Sequence, residues 1–444
     1  IPLPMLPRCA LLSITSLLIS AAALSAATIG SNPPAQPITA ERIAALPETQ
    51  QSAWQEYLAR SQQQLQADQD FFQTELKAHA IKEVIAPPGG HNAGLPLDRS
   101  AAWYGEAEAL RIADIVVSFQ TPAGGWSKNL DMTRHARQPG EQFSGGDQSR
   151  FLTPTDNDLP HDPHWSYVGT FDNDATTTQM YFLAKVATAA GADRGAPYRA
   201  AILRGFGYIF ASQFPNGGWP QVWPLAGGYH DTITYNDGAM IHVLELLRDA
   251  ADGNGEFAFL PAAVRTRAAR SLSYGLACLL ATQVVVGGRH TVWCQQNDAL
   301  TLVPASARNY EMPAQSSGES AEIVRFLMSL PDPNPKIVTA VHAAAAWFEK
   351  TALHDVAYRF TRGEGRRLVP APGYGPIWAR YYEIGTDRPL FGDRDKSIHD
   401  DVSEISPERR NGYAWYGDSP KRTLEHYAKW SKSHPAVPAP ASNR

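Results

Sequence analysis

Positive charge is in short supply in this chain: 39 Lys and Arg stand against 44 Asp and Glu, for a net charge of −5 and a pI near 6.2. Binding to nucleic acid or to a membrane surface needs a basic footprint, so the balance argues against both. An anionic ligand would have to be met by a local basic patch. Cysteine is scarcer still, with three in 444 residues. Cys9 falls in an N-terminal apolar segment, which leaves Cys278 and Cys294. An oxidising compartment permits a bridge between them and burial permits two free thiols, because spacing does not fix the Cα separation that a disulfide demands. A G-x-S-x-G elbow, a phosphate-cradling glycine loop, a dinucleotide fingerprint and EF-hand spacing are all missing. Long apolar runs are also lacking: Ala10 to Leu24 is shorter than the roughly 20 residues of a membrane-spanning helix, and no later stretch comes close.

That one apolar run follows Met5 and Arg8 and precedes Ser25-Ala26-Ala27, the three-part pattern of a secretory signal. Residues 1–27 are therefore expected to be a signal peptide, with Ile1 to Pro4 ahead of the start Met and the mature chain beginning near Thr28. The expected location is secreted or periplasmic, with no membrane association once the signal is removed.

The remaining composition, 43% hydrophobic with eleven Trp and seventeen Tyr, is that of a globular protein with a sizeable core and a mild aromatic excess. One helical toroid of roughly 300 residues plus an appendage accounts for the length. Residues 28–95 read as a linker followed by a long amphipathic brace helix, since Trp54, Leu58, Leu65, Phe72 and Leu76 fall four or seven apart. Ala86-Pro87-Pro88-Gly89-Gly90 marks a boundary, and 96–432 is the main domain. Residues 433–444, Pro, Ala and Ser without core formers, are an expected disordered tail.

Within the main domain the sequence repeats. Ser118-Phe119-Gln120-Thr121-Pro122-Ala123-Gly124-Gly125-Trp126 recurs as Ser212-Gln213-Phe214-Pro215-Asn216-Gly217-Gly218-Trp219, and in degraded form as Thr282-Gln283-Val284-Val285-Val286-Gly287-Gly288-Arg289. Each follows an apolar helical segment. Asn173-Asp174-Ala175, Asn236-Asp237-Gly238 and Asn297-Asp298-Ala299 recur downstream. Each helix should end at its Gln, the Gly pair should supply positive φ for the turn, and Asn or Asp should cap the next helix. Stacked this way, the chain is mainly α, an incomplete α/α toroid of helix pairs with its acidic loops gathered around one cleft. Pro370 to Gly417, rich in Gly, Pro, Tyr and Arg, should form loops and short strands over it.

Asp172, Asp174 and Asp237 sit where N-caps are expected, and position alone favours capping. One cap needs one carboxylate, however, and Asp172-Asn173-Asp174 supplies two plus an amide oxygen, a hard-oxygen set suited to Ca²⁺. Asp298 is equally plausible as a plain cap. Arg308, in Ser306-Ala307-Arg308-Asn309-Tyr310-Glu311, reads most simply as a surface arginine paired with Glu311. Arg380, Arg394, Arg409 and Arg410 lie in aromatic, glycine-rich sequence, where the planar guanidinium fork suits carboxylate binding; neighbouring acids also allow structural ion pairs. His161-Asp162-Pro163-His164 reads as solvated loop.

The segments Gly124-Gly125-Trp126-Ser127-Lys128-Asn129, Thr170 to Thr178, Asn236-Asp237-Gly238-Ala239-Met240, Thr291-Val292-Trp293-Cys294, Ala307 to Glu311, Phe391 to Asp395 and Glu408 to Tyr413, in that order, resemble the family 10 polysaccharide lyases, the pectate lyases built on an incomplete α/α toroid. The resemblance spans about residues 100 to 430 and implies calcium-assisted β-elimination of α-1,4-linked polygalacturonate to 4,5-unsaturated products. It implies Arg308 as the Brønsted base, with Asp172 and Asp237 at the catalytic and calcium end and Asn173 assisting the metal. Arg380, Arg394, Arg409 and Lys128 are implied as substrate carboxylate ligands. Ser127 stands where the family often has Pro. A guanidine base is awkward, because its ordinary pKa leaves it protonated at neutral pH; cationic surroundings are expected to lower that value. A polygalacturonate or pectin substrate, no nucleic-acid partner and a monomeric state complete the expectation. Two other readings stand beside it: an inverting glycoside hydrolase using Asp172 and Asp237 without a metal, and a pectin-binding protein without catalysis.

Overall fold

The structure, a computed structural model, describes residues 28–90, 94–145, 156 and 165–436. The signal-like segment 1–27, His161, His164 and residues 437–444 of the expected tail lie outside them. Nine helices carry the architecture: α1 (Glu48–Ala78), α2 (Ala107–Ser118), α3 (Thr177–Ala189), α4 (Ala196–Ser212), α5 (Ala239–Asp252), α6 (Ala262–Ala281), α7 (Ser317–Met328), α8 (Pro335–Thr351) and α9 (Ser419–Trp430). Helices α3, α5 and α7 pack side by side as an inner layer, with α2, α4, α6 and α8 outside them. This is the expected mainly-α, incomplete toroid. The inner helices bury most of their surface, including Met180, Leu183, Val243, Leu247, Ile323 and Leu327, as helices covered from both sides must.

The repeats set this arrangement through two side chains. At the end of each of three outer helices a glutamine amide donates both to its own turn and to the next outer helix: Gln120 to the carbonyls of Gly124 (2.7 Å) and Ala201 (2.9 Å), Gln213 to Gly217 and Ser271 (both 3.0 Å), Gln283 to Thr291 (2.9 Å) and Ala340 (3.0 Å). A tryptophan indole then donates back to the last turns of the helix just ended. Trp126 reaches Val116 (2.7 Å), Trp219 reaches Ile209 (2.9 Å), Trp293 reaches Leu279 (2.7 Å) and Trp378 reaches Phe348 (2.9 Å). Gly124 and Gly217, at φ 104° and 97°, make the turn that a Cβ would block, since the added atom would lie 2.6 and 2.2 Å from the carbonyl oxygens of Arg204 and Tyr274. In the third copy Val285–Val286 and Arg289–His290 form a small hairpin, and the register resumes at Trp293 rather than at Arg289. The fourth copy, at Trp378, has no glycine pair to announce it.

The acidic residues do not cap helices. Both α3 and α5 begin without a side-chain cap, after Thr176 and Gly238. Asp298 precedes no helix; it accepts from the backbone of Leu300 (3.0 Å) and Thr301 (2.9 Å) and pairs with Arg42 at 2.6 Å, tying down the N-terminal lead-in.

Strands Gly30–Ser31, Ser397–His399, Pro389–Gly392, Tyr381–Tyr382 and Gln315–Ser316 form one antiparallel sheet in that order. It closes the C-terminal region over the toroid, as anticipated, and recruits the N-terminal lead-in as its edge. Cys278 and Cys294 are free, buried thiols; burial pushes Cys278 up to about 12.

Helix α1 packs one face on the main body. Trp54 and Phe72 are buried, Leu58, Leu65 and Leu76 partly so, and the Tyr57 hydroxyl donates to the Ser212 carbonyl at 3.0 Å. Asp68 is fully enclosed on this face, with one carboxylate oxygen taking the Gln64 amide at 2.6 Å and the other unpartnered. Burial pushes its carboxyl from 3.8 up to about 6. The unfolded chain then ionises this group first, so stability is lost as pH rises from about 4 to above 6. Relative to wild type, Asp68→Asn should gain about 2–3 kcal/mol between pH 4 and pH 8 in denaturant melts. A pH-independent difference would contradict the assignment.

Candidate active site

The N-terminal ends of the inner helices and the loops ahead of them converge on one cleft. Asp172–Asp174 forms a tight turn before α3, and Asn236–Gly238 the matching turn before α5, and the two turns are in contact. Asn173 (φ 51°, ψ 45°) and Asp237 (φ 49°, ψ 33°) both adopt the left-handed region, which short polar side chains tolerate. Thr176, at φ 68° and ψ −54°, is a β-branched residue under genuine strain. Its hydroxyl accepts from Trp126 N–H (2.9 Å) and donates to the Thr170 carbonyl (2.9 Å), locking the turn.

Two residues past each repeat tryptophan stand Lys128, Gln221, Gln295 and Arg380, so the repeat places a polar side chain at the same register four times, and its first and last copies reach the acids of the cleft through Lys128 and Arg380. Lys128 Nζ lies 2.6 Å from Asp172 Oδ2 and 3.7 Å over the Tyr167 ring. Burial alone would raise the Asp172 carboxyl, but Lys128, with Arg308 adding to it, holds it below its ordinary value. Asp172 Oδ1 is buried without a hydrogen-bond partner. Asp237 keeps part of its surface open to the cleft, yet enclosure of its carboxyl and then the charge of Asp172 push it up to about 6. Two carboxylates that repel each other, one with an orphaned oxygen, fit a shared hard cation. Among the described residues no group of three or more His, Cys, Asp or Glu is placed to hold a metal ion by itself. Further ligands would be neutral oxygens, such as Asn173, and those of the substrate.

Opposite the acids lies a ring of guanidinium groups. Arg308 forms a forked pair with Glu311, Nε to Oε2 at 2.9 Å and Nη2 to Oε1 at 2.8 Å, and the Tyr413 hydroxyl donates to the same carboxylate at 2.6 Å. Burial, the largest single influence, would lower the Arg308 pKa, but Glu311 together with the surrounding Tyr310, Tyr229 and Tyr413 outweighs it and pushes the value well up. The expectation of a lowered pKa therefore fails, because the nearest charge is anionic. The simple reading of a surface pair fails too, since Glu311 is buried. Arg380 donates to Glu319 (2.6 Å) and Asn236 (3.0 Å). Arg394 and Arg409 share Glu408, at 2.9 and 2.7 Å. The Tyr310 ring is the hub, with the guanidinium carbons of Arg308, Arg394 and Arg409 at 5.3, 5.5 and 4.5 Å from its centre.

The structure thus assembles Asp172, Asn173, Asp237, Arg308, Arg380, Arg394, Arg409 and Lys128 in one neighbourhood. Arg410 is not among them; it donates to the carbonyls of Ser403 and Glu364. Of the acids that neutralise the ring, Glu311, three residues after Arg308, and Glu408, next to Arg409, were legible as neighbouring ion-pair partners; Glu319 was missed, as was Asn32, whose amide donates to the carbonyls of Arg308, Asn309 and Glu311 at 2.9–3.1 Å. His242 spans Asp174 (2.8 Å) and Glu322 (3.3 Å), which raise it to about 10 against the effect of burial. A second buried chain joins the Tyr229 and Tyr167 hydroxyls (3.0 Å) and His230 Nε2 (2.8 Å) behind Lys128.

Residues 120–424 match the family model described as pectic acid lyase, inside the main domain expected at 96–432. No curated protein matches. The chain is similar to the family 10 polysaccharide lyase from Cellvibrio cellulosa, at 32% identity and a TM-score of 0.63, over 78% of this chain and 100% of that one. A mutant of that family 10 enzyme in complex with trigalacturonic acid is similar at 32% identity and a TM-score of 0.62, over 76% of this chain and 99% of that one. On these matches, the chain belongs to the pectic acid lyases, within the family 10 polysaccharide lyases.

Proposed function

We propose that this protein is a pectate lyase that cleaves α-1,4-linked polygalacturonate by β-elimination, leaving 4,5-unsaturated oligogalacturonides. The observation that carries the reading is the Arg308 guanidinium lying within electrostatic reach of both Asp172 and Asp237, in a cleft ringed by three further arginines. Galacturonate carboxylates are bidentate anions, and Arg380, Arg394 and Arg409 offer matching forks. The N-terminal ends of the inner helices add partial positive charge on the same side.

The hydrogen on C5 is acidic only if charge developing on the adjacent carboxylate is stabilised. A calcium ion held by Asp172, Asn173 and Asp237 would supply Lewis-acid stabilisation there. Arg308 takes the C5 proton, the C5–H electrons form the C4–C5 double bond, and the C4–O4 bond breaks with its pair going to oxygen, which solvent protonates. Glu311 orients the guanidinium and holds it protonated at rest, so the competent neutral fraction is small and rises about tenfold per pH unit. The rate should climb into the alkaline range. The catalytic unit proposed is 96–432, acting as a secreted or periplasmic monomer.

Incubation with polygalacturonate should give products with the ultraviolet absorbance of an unsaturated uronate, and chelation with EDTA should abolish it. Saturated reducing ends would replace the lyase reading with a hydrolase, and binding without cleavage would leave a pectin-binding protein.

A further inference from the structure

The strands Val356–Thr361 and Gly365–Pro370 form a hairpin in the C-terminal region. In a chain with net charge −5, residues 356–370 carry Arg359, Arg362, Arg366 and Arg367 against one acid, Glu364. Glu364 is taken by Arg367 at 3.3 Å. The hairpin also exposes Phe360, at 66%, and its neighbour Tyr374 is 48% exposed, with the Arg359 guanidinium 5.5 Å over the Tyr374 ring. Phe360, Arg366 and Tyr374 line a cavity of about 610 Å³ together with Lys421 and a single acid, Asp418. Arg366 and Lys421 are exposed and have no carboxylate partner among the described residues.

This cavity adjoins the active site. A second cavity of about 270 Å³ runs from Asp237, Glu319 and Arg380 outward, and both are bounded by Tyr416 and Gly417. Gly417 is exposed, and a Cβ placed there would meet nothing within 4 Å, so the ridge between the cavities is low and open. An exposed aromatic pair beside unpaired cations, continuous with a cleft for a polyanion, has the composition of a sugar-stacking and carboxylate-binding surface.

We propose that the hairpin surface formed by Phe360, Arg366, Tyr374 and Lys421 is a distal binding site for an extended polyuronate chain leaving the active-site cleft over Gly417. The inference rests on the polygalacturonate reading for the identity of its ligand. Phe360 and Tyr374 stack on sugar faces, and Arg366 and Lys421 meet carboxylates beyond those at the reacting bond. The surface therefore acts on long chains and not on short ones.

The test uses the full chain carrying Phe360→Ala and, separately, the double change Arg366→Ala/Lys421→Ala. All three positions are exposed, so unchanged melting temperatures are expected. Two readouts are compared: retardation in native gels cast with polygalacturonate, and kcat/KM on the polymer against trigalacturonate. Each variant should lose roughly three- to tenfold in polymer affinity and in polymer kcat/KM, while trigalacturonate stays within about twofold of wild type. Wild-type retardation by the polymer would overturn the proposal, as would an equal loss on polymer and trimer. Should the protein bind the polymer without cleaving it, the lyase reading fails and retardation alone still decides whether the hairpin is a binding site.

Discussion

Arg308→Ala and Arg308→Lys should each lose about three to four orders of magnitude in kcat, because each removes the guanidine base, and alanine also removes a cation that faces the developing charge. Lysine keeps the charge but loses the fork, so it cannot sit on Glu311 and Tyr310 as the guanidinium does. A drop in activity would also follow from simple damage to the fold, and the geometry separates the two. In Arg308→Ala the Glu311 carboxylate stays buried, supported by the backbone N–H of residue 308 (3.1 Å), the Tyr413 hydroxyl and the nearby charge of Arg380, but without its guanidinium counter-charge. Orphaning a buried charge costs about 3–5 kcal/mol. Burial alone would raise the Glu311 carboxyl, but Arg308 brings it from 4.5 down to about 2. The stability this pair contributes is therefore present above about pH 4.5 and is lost as pH falls toward 2. The double variant Arg308→Ala/Glu311→Gln removes the orphaned charge and should recover much of the melting temperature while remaining inactive. Near wild-type turnover in either single variant, or recovery of activity in the double, would reject Arg308 as the base.

What the sequence made legible were features carried by local repetition. The Gln and Gly-Gly-Trp pattern needs only residues within one turn and the helix before it, so Gln120, Gln213, Trp126 and Trp219 disclosed the stacking of outer helices. The third copy misled because two valines and two glycines there make a hairpin, and β-branched residues beside Gly-Gly favour that geometry. The acids were misjudged in the opposite direction. Asp172 and Asp237 have the residue type and the position of N-caps, but left-handed backbone at Asn173 and Asp237 turns these segments away from capping geometry, and no local pattern announces that. The partners of the arginines were hidden for a different reason. Glu319 lies 61 residues from Arg380, Glu408 is 14 residues from Arg394, and Asn32 is 276 residues from Arg308. Only the closed fold brings these together. For the same reason the direction of the Arg308 pKa shift was open to error: the cations around it could be counted in the sequence, whereas the buried carboxylate that dominates could not be recognised as buried.

Asp172→Asn and Asp237→Asn should both lose about two to three orders of magnitude in kcat/KM, yet their effects on the calcium-free protein should have opposite signs. Asp172 is buried and ion-paired with Lys128, itself only 9% exposed at its side chain. An amide there removes the carboxylate that Lys128 meets at 2.6 Å, so the melting temperature should fall by an amount that reflects the loss of one member of a buried ion pair. Asp237 is the strained partner. Its carboxyl is held at about 6 by enclosure and by the Asp172 charge, which means that ionising it above that pH works against the fold, while below about pH 4 both folded and unfolded states carry it neutral. Asn at 237 removes that repulsion, so the melting temperature at pH 8 should rise slightly. The gain should stay under about 1 kcal/mol, because this side of the carboxylate is open to solvent. At pH 4 the two proteins should melt together. Calcium supplies the third readout. A cation that binds between the two carboxylates raises the melting temperature of the wild type by an amount set by its concentration relative to Kd, and either amide should remove most of that increment. If Asp172 and Asp237 were only structural, Asp172→Asn would still destabilise the fold, but calcium would raise its melting temperature as it does that of the wild type, and the assignment of the cation to this pair would fall.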